Sequence, residues 1–475
     1  MPHGYTALVL DLGGVLFSTP DVNVGLSKRK LANALDSPAW HDYERGILPK
    51  SDCYEKVATA FDLDLGAWAA AIRALTEGQR ANEELVSAIR QLKAVYTLKV
   101  YCLSNIPGPA LEELSSIAAG WNIFDELYTS ADSGCRKPDA AAFKNFLQSS
   151  KQTAGSCIFV DDHLENVIAA QTLGFRSLQF HDTPTTILSL YNLLGDPVAR
   201  GVAFLKQNAQ NHYCVTNDGE THKDNFSQLL ILQNTQDRSL VHLEHSGSTW
   251  NYFIGEPRMV ETRYFNDADT TSLAMVLLED ISEEERENAM KAILGNLSPE
   301  GLPYTWLDPL RPRLCHCVCA NVYRFFHLNG RSDSLPAVYD YLCRLLRSDA
   351  FVLGSRYYEN PDWFLYILSD LCARRPTDQS LQELRDLLVE KVQNRTGCNR
   401  DVLGAAMRLL SAQFLELGNA ADLATLLDAQ QIDGGWERVW LWRCGKESIK
   451  MGSRGVVTAM AVKGIRNAGR ASGAR

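Results

Sequence analysis

No stretch of this 475-residue chain holds the ~18 consecutive apolar residues that a membrane-crossing helix needs, so stable membrane insertion is not expected. The chain also lacks a positive balance, because 47 Lys and Arg stand against 57 Asp and Glu for a net charge of −10. A nucleic-acid binder neutralises phosphates with clustered basic residues, so DNA and RNA are not expected partners. The twelve cysteines lack framework spacing, which argues against a disulfide-stapled scaffold and suits reduced thiols in the cytoplasm. Their one cluster, Cys315-His316-Cys317-Val318-Cys319, lacks the two-residue gap of common zinc sites and reads as small core residues. Ala7-Leu8-Val9-Leu10 is cut short by Asp11 and has no basic flank, so a signal peptide is not expected either. What remains is an ordinary globular composition, 45% hydrophobic and 22% charged, with length enough for two to three domains.

The N-terminal part alternates apolar strands with helical stretches. Ala7-Leu8-Val9-Leu10 reads as a buried strand running into Asp11-Leu12-Gly13-Gly14-Val15, and a mostly helical stretch follows over 26–91. A second strand covers 97–103 and ends in Ser104-Asn105; Lys137-Pro138 opens the loop before a helix over 139–147. Cys157-Ile158-Phe159-Val160 is a further strand, ending in Asp161-Asp162 with Glu165 and Asn166 close behind. This alternation predicts an α/β unit built on a doubly wound parallel sheet, which binds ligands outside the carboxyl ends of its strands. Asp11 offers a nucleophilic carboxylate there. Ser104 and Lys137, with Asn105 beside them, offer groups to hold phosphate oxygens, and Asp11, Asp161, Asp162 and Glu165 offer hard oxygen ligands for Mg²⁺.

This half closely resembles the haloacid dehalogenase (HAD) superfamily over about residues 4–190. The resemblance implies a helical cap inserted after the first motif, at about 18–91, and a Mg²⁺ and phosphate site. One position departs from the pattern. HAD phosphatases usually carry a second Asp two residues after the nucleophile, which protonates the leaving group and then activates water; here that residue is Gly13. Turnover is therefore left open, although a good leaving group such as pyrophosphate needs less protonation.

Gly195-Asp196-Pro197 interrupts the helical pattern and predicts a boundary between domains at 1–195 and 196–475. Beyond it strand signals almost vanish, and helical stretches recur between loops carrying Gly, Pro and Asn. The expectation is an all-α unit, a toroid of paired helices. Near its end Gln430-Gln431-Ile432-Asp433-Gly434-Gly435-Trp436 forms a Gln-x₃-Gly-x-Trp turn, in which the Gln amide bonds a neighbouring helix while the Trp packs beside it.

Earlier stands Tyr264-Phe265-Asn266-Asp267-Ala268-Asp269-Thr270-Thr271-Ser272, with two carboxylates one residue apart before the apolar run 273–278. Asn, Asp and Thr suit a helix N-terminus, so a solvated cap is one reading. The other is an acid held ready, because a carboxyl in an apolar cavity beside a second carboxyl keeps its proton. Spacing alone leaves both open.

Together these elements resemble the β domain of class II terpene cyclases, an α/α-barrel, over about 197–469. Asp267-Ala268-Asp269-Thr270-Thr271 stands where that group has its acid motif, upstream of the Gln-x₃-Gly-x-Trp turn. A HAD-like half fused to one such domain resembles the drimane-type sesquiterpene cyclases. That resemblance implies protonation-initiated cyclisation of farnesyl diphosphate to a bicyclic diphosphate of the drimenyl or albicanyl type, followed or not by dephosphorylation to the alcohol, so the chain is either bifunctional or carries the HAD half as a scaffold. A plain HAD phosphatase with a protein-binding helical half is the remaining alternative. In the cyclase reading Asp269 is the proton donor, oriented by Asp267 and Thr270 or Thr271, with Asn321 as hydrogen-bond partner. Phe265, Tyr323, Tyr358 and Trp363 are candidate π-faces for the carbocation, and Arg263, Lys446, Lys450 and Arg454 are candidate diphosphate holders, assisted by Mg²⁺.

Overall fold

The computed structural model describes residues 4–18, 25–255, 264–399, 401–444 and 449–473. It divides into two compact units, Met1–Gly195 and Asp196–Arg475. The first unit opens with β1 (Ala7–Leu10), β2 (Phe17–Ser18), α1 (Lys28–Leu35), α2 (Pro38–Glu44), α3 (Lys50–Phe61), α4 (Leu65–Gly78) and β3 (Arg80–Ala81). It continues with α5 (Glu83–Tyr96), β4 (Lys99–Ser104), α6 (Gly108–Trp121), β5 (Glu126–Thr129), α7 (Ser130–Ser133), α8 (Ala140–Ser150), β6 (Cys157–Asp161), α9 (Leu164–Thr172), β7 (Arg176–Gln179) and α10 (Thr183–Leu194).

Five parallel strands form one sheet in the order β5-β4-β1-β6-β7. The apolar run of β1 is central because both its faces are covered, as in parallel sheets generally. Leu8 and Leu10 join the cluster with α5 and α10, whereas Ala7 and Val9 join the one with α8 and α9, the two-residue alternation of a strand. The chain steps from β1 to β4 on one side and later to β6 on the other, so the crevice of the switch point opens just beyond β1, at Asp11.

The cap hangs on a two-stranded neck, with Phe17 opposite Ala81 and Ser18 opposite Arg80. Helices α1 to α4 enclose their own cluster around Trp40, Tyr54 and Trp68. The insertion is shorter than the sequence reading to residue 91 expects. Helix α5 buries Leu85, Val86, Ile89 and Leu92 in the sheet's core and so belongs to the sheet layer. Its apolar stripe reads alike whichever surface receives it, and two-residue strands leave no periodicity to mark the neck.

The second unit runs α11 (Pro197–Gln207), β8 (Cys214–Thr216), β9 (Thr221–His222), α12 (Asn225–Thr235), α13 (Ala268–Leu277), α14 (Glu283–Leu294), α15 (His316–Leu328) and α16 (Pro336–Arg347). Then follow α17 (Asp362–Arg374), α18 (Gln382–Arg395), α19 (Val402–Phe414), α20 (Ala420–Asp428), β10 (Trp442–Cys444), β11 (Ile449–Gly452) and α21 (Arg454–Gly473). Helix α12 packs on α13, α13 on α15, α15 on α17, α17 on α19, α19 on α21, and α21 returns to α12. That closed ring is the inner wall of an α/α-barrel, and α14, α16, α18 and α20 pack outside it. The inner helices α13, α15, α17 and α19 are buried on nearly every side, whereas outer α16 buries one stripe, Val338, Leu342, Cys343 and Leu346, the pattern of a surface helix.

Strands are not absent from this half. A small antiparallel sheet, β10-β11-β8-β9, joins its two ends, and its two- to four-residue strands are too short to show alternation. The Gln430 amide donates to the Pro197 carbonyl at 2.9 Å and to that of Gly434 at 2.8 Å, while Trp436 Nε1 donates to Leu426 O at 2.8 Å. This turn ties the end of α20 to the start of α11. Gly434 has φ +87°, and a Cβ there would lie 2.4 Å from Arg200 O, so no other residue fits. Among the described residues no helix is long and apolar enough to cross a membrane.

Candidate functional site

Helix α13 starts where the aspartate pair lies. Asp267 is its N-cap: Oδ1 accepts from Thr270 N at 2.6 Å and Oδ2 from Thr270 Oγ1 at 3.0 Å. The cap is nonetheless buried, at 4% exposure, as is Asp269 at 4%. The solvated-cap reading therefore has the right geometry and the wrong environment. Thr271 faces elsewhere, its hydroxyl accepting from Trp250 N at 2.8 Å.

Asn321 of α15 donates Nδ2 to Asp269 Oδ1 at 2.7 Å and to the Asp269 carbonyl at 3.1 Å. Its own oxygen accepts from Arg324 Nη2 at 2.7 Å, and Arg324 Nη1 donates to Asp370 Oδ2 at 2.9 Å. Arg only donates, so the Asn321 oxygen must face Arg324 and its NH₂ must face Asp269. With Oδ1 thus accepting, the proton of a neutral Asp269 sits on Oδ2. That oxygen accepts from the Tyr358 hydroxyl, which leaves its own proton free to point into the cavity.

Asp267, Asp269 and Tyr358 line a narrow cavity of about 10 Å³ whose other walls are mainly the rings of Phe226, Tyr252, Tyr264, Trp306, Tyr357 and Trp442. Trp442 stacks on Tyr252 at 4.6 Å and on Tyr357 at 6.1 Å. Ring faces stabilise a cation without offering a lone pair to trap it.

Burial raises both carboxyls above the usual range. Asp267 is pushed up to about 8, by burial first, with the Thr270 amide pulling back and Asp269 adding repulsion. Asp269 is also raised by burial, but Tyr358, Asn321 and Arg324 each favour its anion. The stronger acid of the two is the carboxyl whose conjugate base is better held, which is Asp269, while Asp267 fixes the helix start.

The Asp267 shift has a stability consequence. Between its unfolded value of 3.8 and about 8 the native state binds a proton that the unfolded state does not, so stability falls as pH rises through that window. Asp267→Asn keeps a capping oxygen and removes the titration. Wild type should therefore lose melting temperature relative to this variant from about pH 4 to about pH 8; parallel pH profiles would remove Asp267 as a buried neutral acid.

In the first unit, Asp11 follows β1. Its Oδ1 accepts from Leu12 N at 2.8 Å and lies 3.1 Å from Lys137 Nζ, which also reaches Asp161 Oδ2 at 2.6 Å. The Ser104 hydroxyl, at the end of β4, hydrogen-bonds Asp11. Burial pushes Asp11 up to about 6 against the pull of Lys137. Asp11, Asp161 and Asp162 each bring a carboxylate oxygen within 4.8 Å of the others, and Asp162 Oδ1 is buried with no hydrogen-bond partner. Three hard oxygen donors, one of them unsatisfied, fit a Mg²⁺ ion. Gly14, with φ +75°, lets Asp162 in, since a Cβ there would lie 2.2 Å from Asp162 Oδ2.

Residues 5–174 match the haloacid dehalogenase-like hydrolase family, and residues 198–329 match the sesquiterpene cyclase astC-like C-terminal domain. Over 462 residues the chain is 34% identical to drimenol cyclase drtB of Aspergillus calidoustus, covering 97% of this chain and 87% of that protein. The chain belongs to the drimane-type sesquiterpene cyclases. Over 192 residues, 40% of its length, this cyclase is 35% identical to sesquiterpene phosphatase astK of Aspergillus oryzae, 97% of which is covered. It is also similar to the type II terpene cyclase MstE from Scytonema, at 15% identity and TM-score 0.44 over 58% of this chain and 97% of that one.

Other expected residues of the cyclase lie elsewhere. Arg263 and Lys446 fall outside the described residues. Arg454 donates to both oxygens of Asp433, at 2.8 and 2.9 Å, and to Trp436 O at 3.0 Å, so it locks the Gln-x₃-Gly-x-Trp turn. Lys450 pairs with Glu359 at 2.8 Å. Tyr323 packs on Tyr339 and His327, away from the cavity, because two residues along a helix is a turn of about 200° and Asn321 already faces in. Trp363 stacks behind Tyr358 at 5.7 Å, and Phe265 lies under Arg311 at 4.8 Å, beside a separate groove. Asn105 spends its amide on the Lys137 backbone, accepting at 2.8 Å and donating at 2.8 Å, so it positions the lysine. Glu165 is exposed in the first turn of α9, outside the carboxylate trio.

Arg324 was not anticipated, although an Arg three residues after Asn321 in an otherwise apolar helix was a usable signal. Trp442 gave none, sitting in a three-residue strand.

Proposed function

We propose that this cyclase protonates the terminal double bond of farnesyl diphosphate from Asp269 Oδ2 and closes a bicyclic, drimane-type diphosphate. The observation that carries this reading is the buried Asp269, held by Asn321 and Tyr358 at the wall of an aromatic cavity. The 34% identity to a drimenol cyclase along 97% of the chain supports the substrate and skeleton. Proton transfer leaves an Asp269 carboxylate stabilised by the Asn321 amide, with Arg324 behind it. The alkene electrons close two rings in turn, the aromatic rings solvate the migrating charge, and loss of a proton ends the cascade with the diphosphate intact.

The N-terminal site then removes phosphate from that product, the first step toward the alcohol. Asp11 is its nucleophile, while Lys137 and Ser104 hold phosphate oxygens. A Mg²⁺ ion held by Asp11, Asp161 and Asp162 would offset the charge of the bound phosphate. The twelve free cysteines suit a reducing compartment, and cytoplasmic residence is part of the proposal.

Gly13 supports a second reading, in which the HAD half is a silent scaffold. Incubating wild type and Asp11→Ala with farnesyl diphosphate and Mg²⁺ separates the two. Both should make the bicyclic skeleton, with inorganic phosphate released by wild type and not by the variant. Acyclic product alone would sink the cyclase assignment, and equal phosphate from both chains would leave the HAD half as scaffold.

A further inference from the structure

Gly13 faces the cleft over Asp11, and a Cβ built on it would meet no atom within 4 Å. Its φ lies outside the left-handed region, so neither packing nor backbone demands glycine there. Room for a leaving-group acid exists, and the acid does not. The cap's buried carboxyl does not replace it, because Glu44 already accepts from Trp40 Nε1 at 3.1 Å and Arg136 Nε at 2.9 Å. His41 is pushed toward its neutral form by burial and by Arg136, which makes it a poor donor. The cap lines the cleft with both signs of charge, Asp36, Glu44 and Glu77 beside Arg45, Lys50 and Arg73. Among the described residues Lys50 and Arg73 have no carboxylate partner, whereas Asp36 meets His41 and Glu44 meets Arg136. Fixed positive charge suits a leaving group that departs as a stable anion.

We propose that Gly13 confines the hydrolytic site to a phosphoanhydride bond, so that the N-terminal unit takes the sesquiterpenyl diphosphate to the monophosphate and stops. This deepens the hydrolytic part of the function proposed above and rests on it. Asp11 attacks the terminal phosphorus, the bridging P–O bond breaks, and its electron pair leaves with the sesquiterpenyl monophosphate. Water then attacks phosphorus and breaks its bond to the Asp11 oxygen, which regenerates the carboxylate, sends the water proton to solvent and yields inorganic phosphate; this step is the same for either substrate, so Gly13 separates them only at the first. Each cycle consumes one water and one diphosphate, and yields one monophosphate and one inorganic phosphate. A phosphate monoester gives up its second proton near ~6, so it departs unassisted. An alkoxide, with a conjugate acid near the ~15.7 of water, needs the proton that Gly13 cannot supply. A separate phosphomonoesterase must act on the product wherever the free alcohol is made.

The test supplies farnesyl diphosphate and farnesyl monophosphate separately to the full chain with Mg²⁺, reading inorganic phosphate, the phosphate count of the product, and its skeleton. Wild type should release one phosphate per diphosphate, accumulate monophosphate, and leave added farnesyl monophosphate at least about 10²-fold slower. Gly13→Asp should speed cleavage of the monophosphate by about 10²-fold or more. Alcohol formed by wild type from both substrates at comparable rates would overturn the proposal, whether or not the variant folds. So would a folded Gly13→Asp with unchanged ester cleavage. Phosphate release from neither substrate would overturn it together with the hydrolytic function, while the skeleton of the recovered diphosphate would still report on the cyclase.

Discussion

Asp269→Asn is expected to cut cyclisation by about 10⁴-fold or more, the upper range for removing a general acid, and to leave the fold intact. The substitution is isosteric. Its oxygen still accepts from Asn321 Nδ2, which lies 2.7 Å from Oδ1, and its new NH₂ faces the Tyr358 oxygen. What disappears is the transferable proton on the cavity side. Asp267 cannot take over, since both its oxygens are bound to Thr270 and its proton is held up to about 8. The check is the amount of bicyclic product recovered after added phosphatase, alongside melting curves for both chains.

Arg408→Ala should destabilise the helical unit by about 3–5 kcal/mol, the usual cost of breaking a buried ion pair from one side, or roughly 10 °C in melting temperature. Arg408 of α19 is 2% exposed. Its Nη1 donates to Asp362 at 2.8 Å, its Nη2 to Asp422 at 2.6 Å and to Asn399 O at 2.6 Å. One guanidinium thus ties α17, α19 and α20 together. Asp362 retains Arg395, and Asp422 retains Gly397 N at 3.1 Å and Asn419 Nδ2 at 2.8 Å. Arg395 still offsets the charge of Asp362, but Asp422, fully buried, is left with neutral donors alone. Thermal unfolding measured at neutral pH tests this, and an unchanged melting temperature would mean that the cluster contributes nothing net.

The parts of this protein that could be read from sequence are those whose chemistry is local. Asp11, Ser104, Lys137 and Asp161 each sit at a strand end or in the loop that serves it, so apolar runs located them, and the parallel sheet then had to gather them. The aspartate pair was visible, but its meaning was not, because a cap and a catalyst share the same residues. The deciding fact is burial, which comes from helices far along the chain: Tyr358 approaches Asp269 across 89 positions and Asn321 across 52. No window of sequence holds those contacts. The cavity wall was harder still, since aromatic residues at helical spacing belong equally to core and pocket. Tyr358 was expected as a ring and proved to be a hydrogen-bond partner of the acid, whereas Tyr323 faces away. Arg454 looked like a free cation until the fold brought Asp433 to it. Charge in sequence carries no information about its partner, and a turn that needs a clamp will take the nearest one.

The most direct measurement of the central claim is the isotope content of product made by wild type from farnesyl diphosphate in heavy water. A cascade started by the Asp269 proton puts one deuterium on the ring carbon next to the carbon bearing the two methyl groups. Bicyclic product with no deuterium at that carbon would mean that the cascade starts in some other way, and would contradict the assignment of Asp269.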